Sequence, residues 1–141
     1  MKHLTSLNEF SSNENYLSSD HVMLYEAYTD IMTKLEDCIT NKFTCSFYYK
    51  GDTGAVDRGY RKVEPYALGV NSKGNTVVRC WLLEGTSKTG KVNPKLVPGW
   101  RLFRVDRMSE LNVLLQNFTV PRKGYNSEDS GMTEISFAAD F

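Results

Sequence analysis

Residues Gly59 to Arg107 contain three short runs in which arginine lies beside aromatic residues: GYRKVEPYAL at 59–68, GNTVVRCW at 74–81 and GWRLFRVDR at 99–107. Runs of β-branched and aromatic residues bounded by turn residues are typical of strands. The tetrapeptide NSKG at 71–74 separates the first two runs and predicts a hairpin turn. Guanidinium groups and aromatic rings together bind phosphates and stacked bases. The region therefore predicts a sheet that carries a binding surface.

The rest of the chain predicts one domain of α+β class. Apolar residues recur at helical spacing from an N-cap at Asp20, which indicates an amphipathic helix over 20–41. Strands are expected at 43–50, 59–70, 75–84 and 100–105, with Pro65 at an edge or a bulge because proline cannot donate to a ladder. A short helix from about 106 to 118 and a last strand at 132–139 follow.

The domain plan is a mobile N-terminal arm over 1–19, which is rich in Ser and Asn, and a single domain over 20–141. Within that domain the helix occupies 20–41, a bent barrel 43–105, and a helix plus the last strand 106–141. Both faces of the 75–84 strand are apolar, as expected of a strand inside a small closed barrel. The long loop over 85–99 has a length and composition often found in functional loops.

The zero net charge conceals a segregation along the chain. Residues 50–107 contain twelve Lys and Arg against five acids, whereas 1–49 contain three against seven and 108–141 two against five. An anionic partner for the middle segment and neutralisation by the acidic flanks explain this pattern equally well.

Several functional classes lack their signatures. Three cysteines without CxxC spacing indicate neither a disulfide framework nor a zinc site, and are read as small buried residues. The run GTSKTGK at 85–91 lacks phosphate-loop spacing, and no catalytic triad or metal-ligand set is readable. We therefore expect no enzymatic activity, no cofactor and no metal. Without a signal peptide or a long apolar run, a cytoplasmic protein without membrane contact is expected.

The order of these pieces resembles the WYL-domain family of prokaryotes and their phages. The resemblance rests on Phe47-Tyr48-Tyr49, on RKVEPYAL at 61–68, on RLFRVDRM at 101–108, and on PRKGYN at 121–126. The name-giving triad falls at Thr76-Val77-Val78, where this chain departs from the family. Because only one helix precedes the first strand, the chain resembles a stand-alone module, as in some phage or mobile-element proteins.

The resemblance implies a small SH3/Sm-like bent β-barrel with a basic pocket for an anionic ligand, often nucleic acid. The family arginines correspond to Arg61, Arg101, Arg104 and Arg107, and Tyr66 to a pocket aromatic. From the residues alone, Arg79 is open to three interpretations: an ion pair with Glu64, Glu84 or Asp106, a side chain reaching solvent, or convergence with Arg61 and Arg101 on an anion. The candidate binding residues are Tyr48, Arg61, Tyr66, Arg79, Trp81, Arg101, Arg104 and Arg107.

The function expected from the sequence is a non-enzymatic regulatory module that binds single-stranded nucleic acid or a nucleotide-like anion. The alternative is a protein-interaction module, for example a phage factor acting on a host protein. Whether the chain forms a homo-oligomer is left open.

Overall fold

The computed structural model describes residues 19–52, 58–86 and 98–141, and the side chains from residue 25 onward within the first helix. Helix α1 spans Ser19–Asn41, close to the predicted 20–41. Residues 1–18 of the expected arm, the side chain of Asp20 and residues 87–97 of the long loop lie outside the described structure. Within the described ranges, no helix combines the length and the hydropathy that crossing a membrane requires.

The described strands form one antiparallel sheet, and the helix packs against one face of it. They are β1 (Phe43–Tyr49), β2 (Gly59–Val70), β3 (Thr76–Thr86), β4 (Gly99–Arg104), β5 (Met108–Asn117) and β6 (Glu134–Ala138). The order is β4-β3-β2-β1-β5, and β6 pairs with β2. The α+β class is confirmed, but the described pairing does not close the sheet, and the SH3/Sm-like barrel stays a prediction.

Strand β2 changes partners along its length. Its first half pairs with β1, from Gly59 to Val63, and its second half pairs with β6, from Ala67 to Val70. The register against β3 shifts between Pro65 and Ala67, so of the two positions expected for Pro65, an edge or a bulge, the structure shows the bulge. The shift leaves Tyr66 as the extra residue at the point where the strand changes partners.

The prediction of a short helix after β4 is wrong. A single 3-10 turn at Val105–Arg107 leads directly into β5, which pairs with β1. The β1–β5 register shifts at two places, and Glu110 and Leu115 have positive φ angles of 51° and 54°. Each irregularity offsets the two-residue alternation of a strand, so the apolar residues recur three or four apart and imitate a helical pattern.

The main core lies between α1 and the inner face of the sheet. Leu35 and Ile39 of the helix are buried among Phe47, Val63 and Leu82 of the strands. Cys38, Cys45 and Cys80 are free and buried in this core, as predicted. Within the described ranges no three His, Cys, Asp or Glu residues are grouped so as to hold a metal ion.

The opposite, outer face of the sheet is covered by the segment after β5. Met132 packs there against Ala67, Val77 and Leu102, and Val77 is buried. This cover explains why both faces of β3 are apolar without requiring a closed barrel.

Candidate ligand site

An aromatic cluster gathers around Tyr66, the extra residue of β2. The ring centroid of Tyr66 lies 4.8 Å from that of Trp100, and Trp100 lies 5.4 Å from Trp81 in an edge-on arrangement. Tyr125 of the C-terminal segment lies 5.0 Å from Tyr66. The remaining rings packed against Tyr66 are Phe118 and Phe141. Tyr66 itself is fully buried, whereas Trp81, Trp100 and Tyr125 are partly exposed.

A buried carboxylate ties this cluster to the C-terminal segment. Glu64 accepts hydrogen bonds from Nε and Nη2 of Arg122, both at 3.0 Å, and one from the Tyr66 hydroxyl at 3.0 Å. The same hydroxyl accepts a bond from the backbone N–H of Arg122. Burial, the largest of several influences, raises the pKa of Tyr66 to about 12. The Arg122 guanidinium also lies 5.4 Å from the Trp81 ring centroid, which is cation–π geometry.

A second bidentate ion pair lies beside the cluster. Arg79 donates from Nε to Oδ2 of Asp129 at 2.6 Å and from Nη2 to Oδ1 at 3.1 Å. The Asp129 carboxylate also accepts a bond from the backbone N–H of Gly131. The Arg79 guanidinium holds the pKa of Asp129 below its usual value. A Cβ on Gly131 would lie 2.8 Å from Nη2 of Arg79, so glycine at this position leaves room for the pair.

These groups border a partly open cavity of about 260 Å³, here called the outer cleft. Its lining combines one ion pair, two aromatic rings and small polar groups: Arg79, Trp100, Gly124, Tyr125, Asn126, Asp129 and Ser130. Gly124 has a φ of 92°, and a Cβ there would lie 3.1 Å from Nε1 of Trp100. The Trp100 indole N–H donates to the carbonyl of Lys123. The turn at Gly124 therefore fixes both the loop and the Trp100 ring at the wall of the cleft.

The other predicted arginines have separate local partners. Arg104 donates two hydrogen bonds to Asp106, and this lowers the pKa of Asp106. Arg107 pairs with Asp52. Both arginines are half-buried, and each forms its own ion pair rather than sharing one site.

Strand register separates Arg79 from Arg61 and Arg101, the two arginines with which it was expected to converge. Arg101 pairs with Cys80 and Arg61 with Phe47, and both of these partners are in the main core, so Arg61 and Arg101 lie on the inner face. Arg79 lies on the outer face. Arg61 is buried, and its guanidinium lies 5.8 Å from the Tyr49 ring centroid.

Of the predicted set, the structure brings together Arg79 and Trp81 on the outer face of the sheet, and the buried Tyr66 packs beside them against Trp100. Tyr48 lies elsewhere, with its ring 5.3 Å from that of Tyr60 on the neighbouring strand. Arg79 does form an ion pair, but with Asp129 rather than with an acid predicted for it.

Sequence reasoning assigned no binding role to the side chains that complete the site, which are Glu64, Trp100, Arg122, Tyr125, Asn126, Asp129 and Ser130. The available signal was PRKGYN at 121–126, which carried part of the family resemblance and supplies three of these residues. Its distance from β3 in sequence hid the contact, because nothing local indicates which strand this loop covers.

Comparison with known proteins agrees with the family resemblance. The WYL domain model matches residues 30–113, more than half of the chain, and the chain therefore belongs to the WYL domain family. Among solved structures, proteasome accessory factor B/C (PafBC) of Arthrobacter aurescens is similar, with 22% sequence identity and a TM-score of 0.52. The match covers 69% of this chain and only 13% of that chain. No curated protein gives a significant match.

Proposed function

We propose that this WYL domain is a non-enzymatic, cytoplasmic regulatory module that binds single-stranded nucleic acid or a nucleotide-like anion. Under this proposal, the bent sheet has the SH3/Sm-like architecture that the family resemblance implies. The binding surface is the outer side of the sheet, where Trp81, Trp100 and Tyr125 adjoin the guanidinium groups of Arg79 and Arg122. Membership of the family and the chemistry of this surface support the proposal.

The observation that carries the proposal is the partly exposed pair Trp81 and Trp100 beside a cation. Arg122 lies over the Trp81 ring and is 43% exposed at its side chain, although its Nε and Nη2 bind Glu64. A guanidinium has five N–H donors, so a bidentate carboxylate leaves others available for a phosphate. Aromatic rings next to such donors are the groups that single-stranded nucleic acids use for stacking and backbone contact.

The proposal is tested by oligonucleotide binding as a function of salt. Fluorescence anisotropy with a labelled oligothymidylate should show binding that weakens between about 50 and 200 mM salt. Engagement of three or four phosphates implies a log–log slope of roughly −2 to −3, at about −0.7 per phosphate. Arg122→Gln should flatten that slope by nearly one contact.

Stacking is the sharper part of the test, because any basic surface gives some salt-sensitive binding. Trp81→Ala should weaken binding by about 1–3 kcal/mol. Phe137→Ala, which removes a partly exposed ring of β6 outside the aromatic cluster, is the matched control and should leave affinity unchanged. Thermal melts of all three variants identify any that fail to fold, above all Arg122→Gln, which removes the ion-pair partner of the buried Glu64 carboxylate. A folded wild-type protein that binds neither DNA nor RNA at low salt would refute the proposal.

The alternative function is that of a protein-interaction module. It is favoured by the exposed apolar residues Ile135 and Phe137 on β6, which pairs only with β2 within the described part of the sheet. A partner protein bound there through an apolar surface would show little dependence on salt. Loss of such binding in Phe137→Ala, with no oligonucleotide binding by the wild type, would support this alternative.

A further inference from the structure

We propose that the outer cleft binds the edge of a single nucleobase and prefers guanine to adenine, rather than binding a phosphate. This inference rests on the proposed function and assigns the ligand class of one part of that surface. It follows from the charge of the cleft, from its uncommitted hydrogen-bonding groups and from its size.

Charge argues against a phosphate in the cleft. Arg79 and Asp129 form a bidentate pair, and the Asp129 side chain is only 9% exposed. The two charges cancel, and no other charged residue contributes to the described lining. A phosphate would place its negative charge beside the Asp129 carboxylate, whereas a neutral base would not.

The uncommitted polar groups of the cleft are mainly donors. Arg79 uses Nε and Nη2 on Asp129, and its Nη1 has no hydrogen-bond partner within the described residues. Asp129 accepts three of the roughly four hydrogen bonds open to a carboxylate, two from Arg79 and one from the N–H of Gly131. Oδ1 of Asn126 accepts a bond from the N–H of Glu128, so the donor Nδ2 is the atom of this amide without a hydrogen bond in the described structure. Ser130 adds a hydroxyl that can donate.

A donor-lined cleft selects a base by the acceptors on its edge. Guanine presents two neighbouring acceptors, O6 and N7, and arginine and other donors commonly bind them. Adenine presents N7 beside the N6 amino group, which is itself a donor and would face the donors of the cleft. The two purines stack similarly, so a preference between them would reflect the edge and not the ring.

The dimensions of the cleft suit one base. Its volume of about 260 Å³ lies just under the range of about 300–1,000 Å³ for drug-sized ligands. Trp100 and Tyr125 line it with their rings, and Gly124 contributes no side chain to obstruct it. A base that entered from a strand stacked on Trp81 would meet these rings next, because Trp100 contacts Trp81.

The test compares oligothymidylates of about 11 nucleotides that differ only at the central base. The wild-type protein should bind the oligomer with central guanine at least about fivefold more tightly than the one with adenine, the low end for a good base contact. Hypoxanthine, which keeps O6 and N7 but lacks the N2 amino group, should match guanine. 7-Deazaguanine, which lacks N7, should lose part of the preference.

Protein variants assign the preference to the cleft. Asn126→Ala should bring the affinities for the guanine and adenine oligomers to within about twofold of each other. Ser130→Ala should act in the same direction. Ser127→Ala is the matched control, since this neighbouring residue does not line the cleft, and it should keep the full preference. Asn126, Ser127 and Ser130 are all exposed, so folding should be unaffected, and melting curves check this.

The outcomes separate this inference from the proposed function. Salt-dependent binding with equal affinity for all central bases would overturn the guanine preference and leave the proposed function standing. Displacement of the oligomer by millimolar inorganic phosphate, lost in Arg79→Gln, would also overturn it by showing an anion site. Absence of binding to every oligomer would refute both.

Discussion

At the scale of single residues, the Arg79–Asp129 pair connects stability to pH. Because Arg79 lowers the pKa of Asp129 in the folded state, the pair stabilises the fold above the unfolded-state pKa of about 3.9. That contribution is lost as the pH falls through the lower, folded-state pKa. The free energy of unfolding should therefore decline steadily from about pH 5 downward.

Asp129→Asn tests this link. The variant should lose about 1–3 kcal/mol of unfolding free energy at pH 7, because a charge-assisted pair is broken. The difference from the wild type should shrink as the pH falls through the lowered folded-state pKa of Asp129, because the wild-type carboxylate becomes neutral there too. Denaturant titrations across this range measure both effects. Glu128→Gln, an exposed neighbour without an ion pair in the described structure, is the control, and an equal pH dependence in both variants would contradict the assignment.

At the scale of elements, strand β5 contains a strained position that can be relieved. Leu115 has a φ of 54° and is 71% exposed, so its side chain contributes little packing. Leu115→Gly should raise the free energy of unfolding by up to about 1 kcal/mol. The relieved strain, roughly 1–2 kcal/mol, exceeds the extra flexibility of an unfolded glycine, roughly 0.5–1 kcal/mol. Leu114 has no positive φ, so Leu114→Gly should destabilise the fold. Thermal melts that show no difference between the two variants would contradict the strain assigned to Leu115.

Helix α1 supplies the other test at this scale. Leu35 is fully buried against the sheet, so Leu35→Ala should cost about 2–5 kcal/mol. Asp37→Ala changes an exposed residue of the same helix and should cost little. Urea unfolding measures both. A neutral Leu35→Ala variant with an altered oligomer size would instead show that this face of the helix is an interface.

At the scale of the whole molecule, the segment after β5 completes the domain. The WYL domain model matches only as far as residue 113, yet Phe118, Met132 and Ala139 are buried and β6 pairs with β2. A chain ending at Asn117 would also leave the buried Glu64 carboxylate without Arg122, and an unpaired buried charge is strongly destabilising. We expect this truncated chain to lose cooperative thermal unfolding and to bind a hydrophobic dye. Val120→Ala, at an exposed position of the same segment, should melt like the wild type, and a cooperative melt of the truncated chain near the wild-type temperature would contradict the prediction.

The charge segregation along the chain is partly resolved by the fold. Asp129 of the acidic C-terminal part neutralises Arg79 of the basic middle, as the interpretation of folded-over flanks expected. The Arg122–Glu64 pair has the opposite arrangement, because the acidic C-terminal part supplies the cation and the basic middle segment supplies the carboxylate. Net charge along the sequence therefore does not report the charge at the site, because ion pairs join segments that are far apart in the chain.

The helix, the hairpin at 71–74, the interruption of β2 at Pro65 and the family resemblance could all be predicted from local spacing or from a contiguous motif. Strand β2 was predicted at its observed bounds for that reason. Residues 108–117 form a strand because they pair with β1, whereas their offset apolar pattern taken alone is equally compatible with a helix. The fold also decides which face of the sheet each arginine occupies, since a shift of one residue in register moves a side chain to the opposite face. The candidate site belongs to this second class: Asp129 and Arg122 reach Arg79 and Glu64 across more than 45 residues, and no local pattern encodes such a contact.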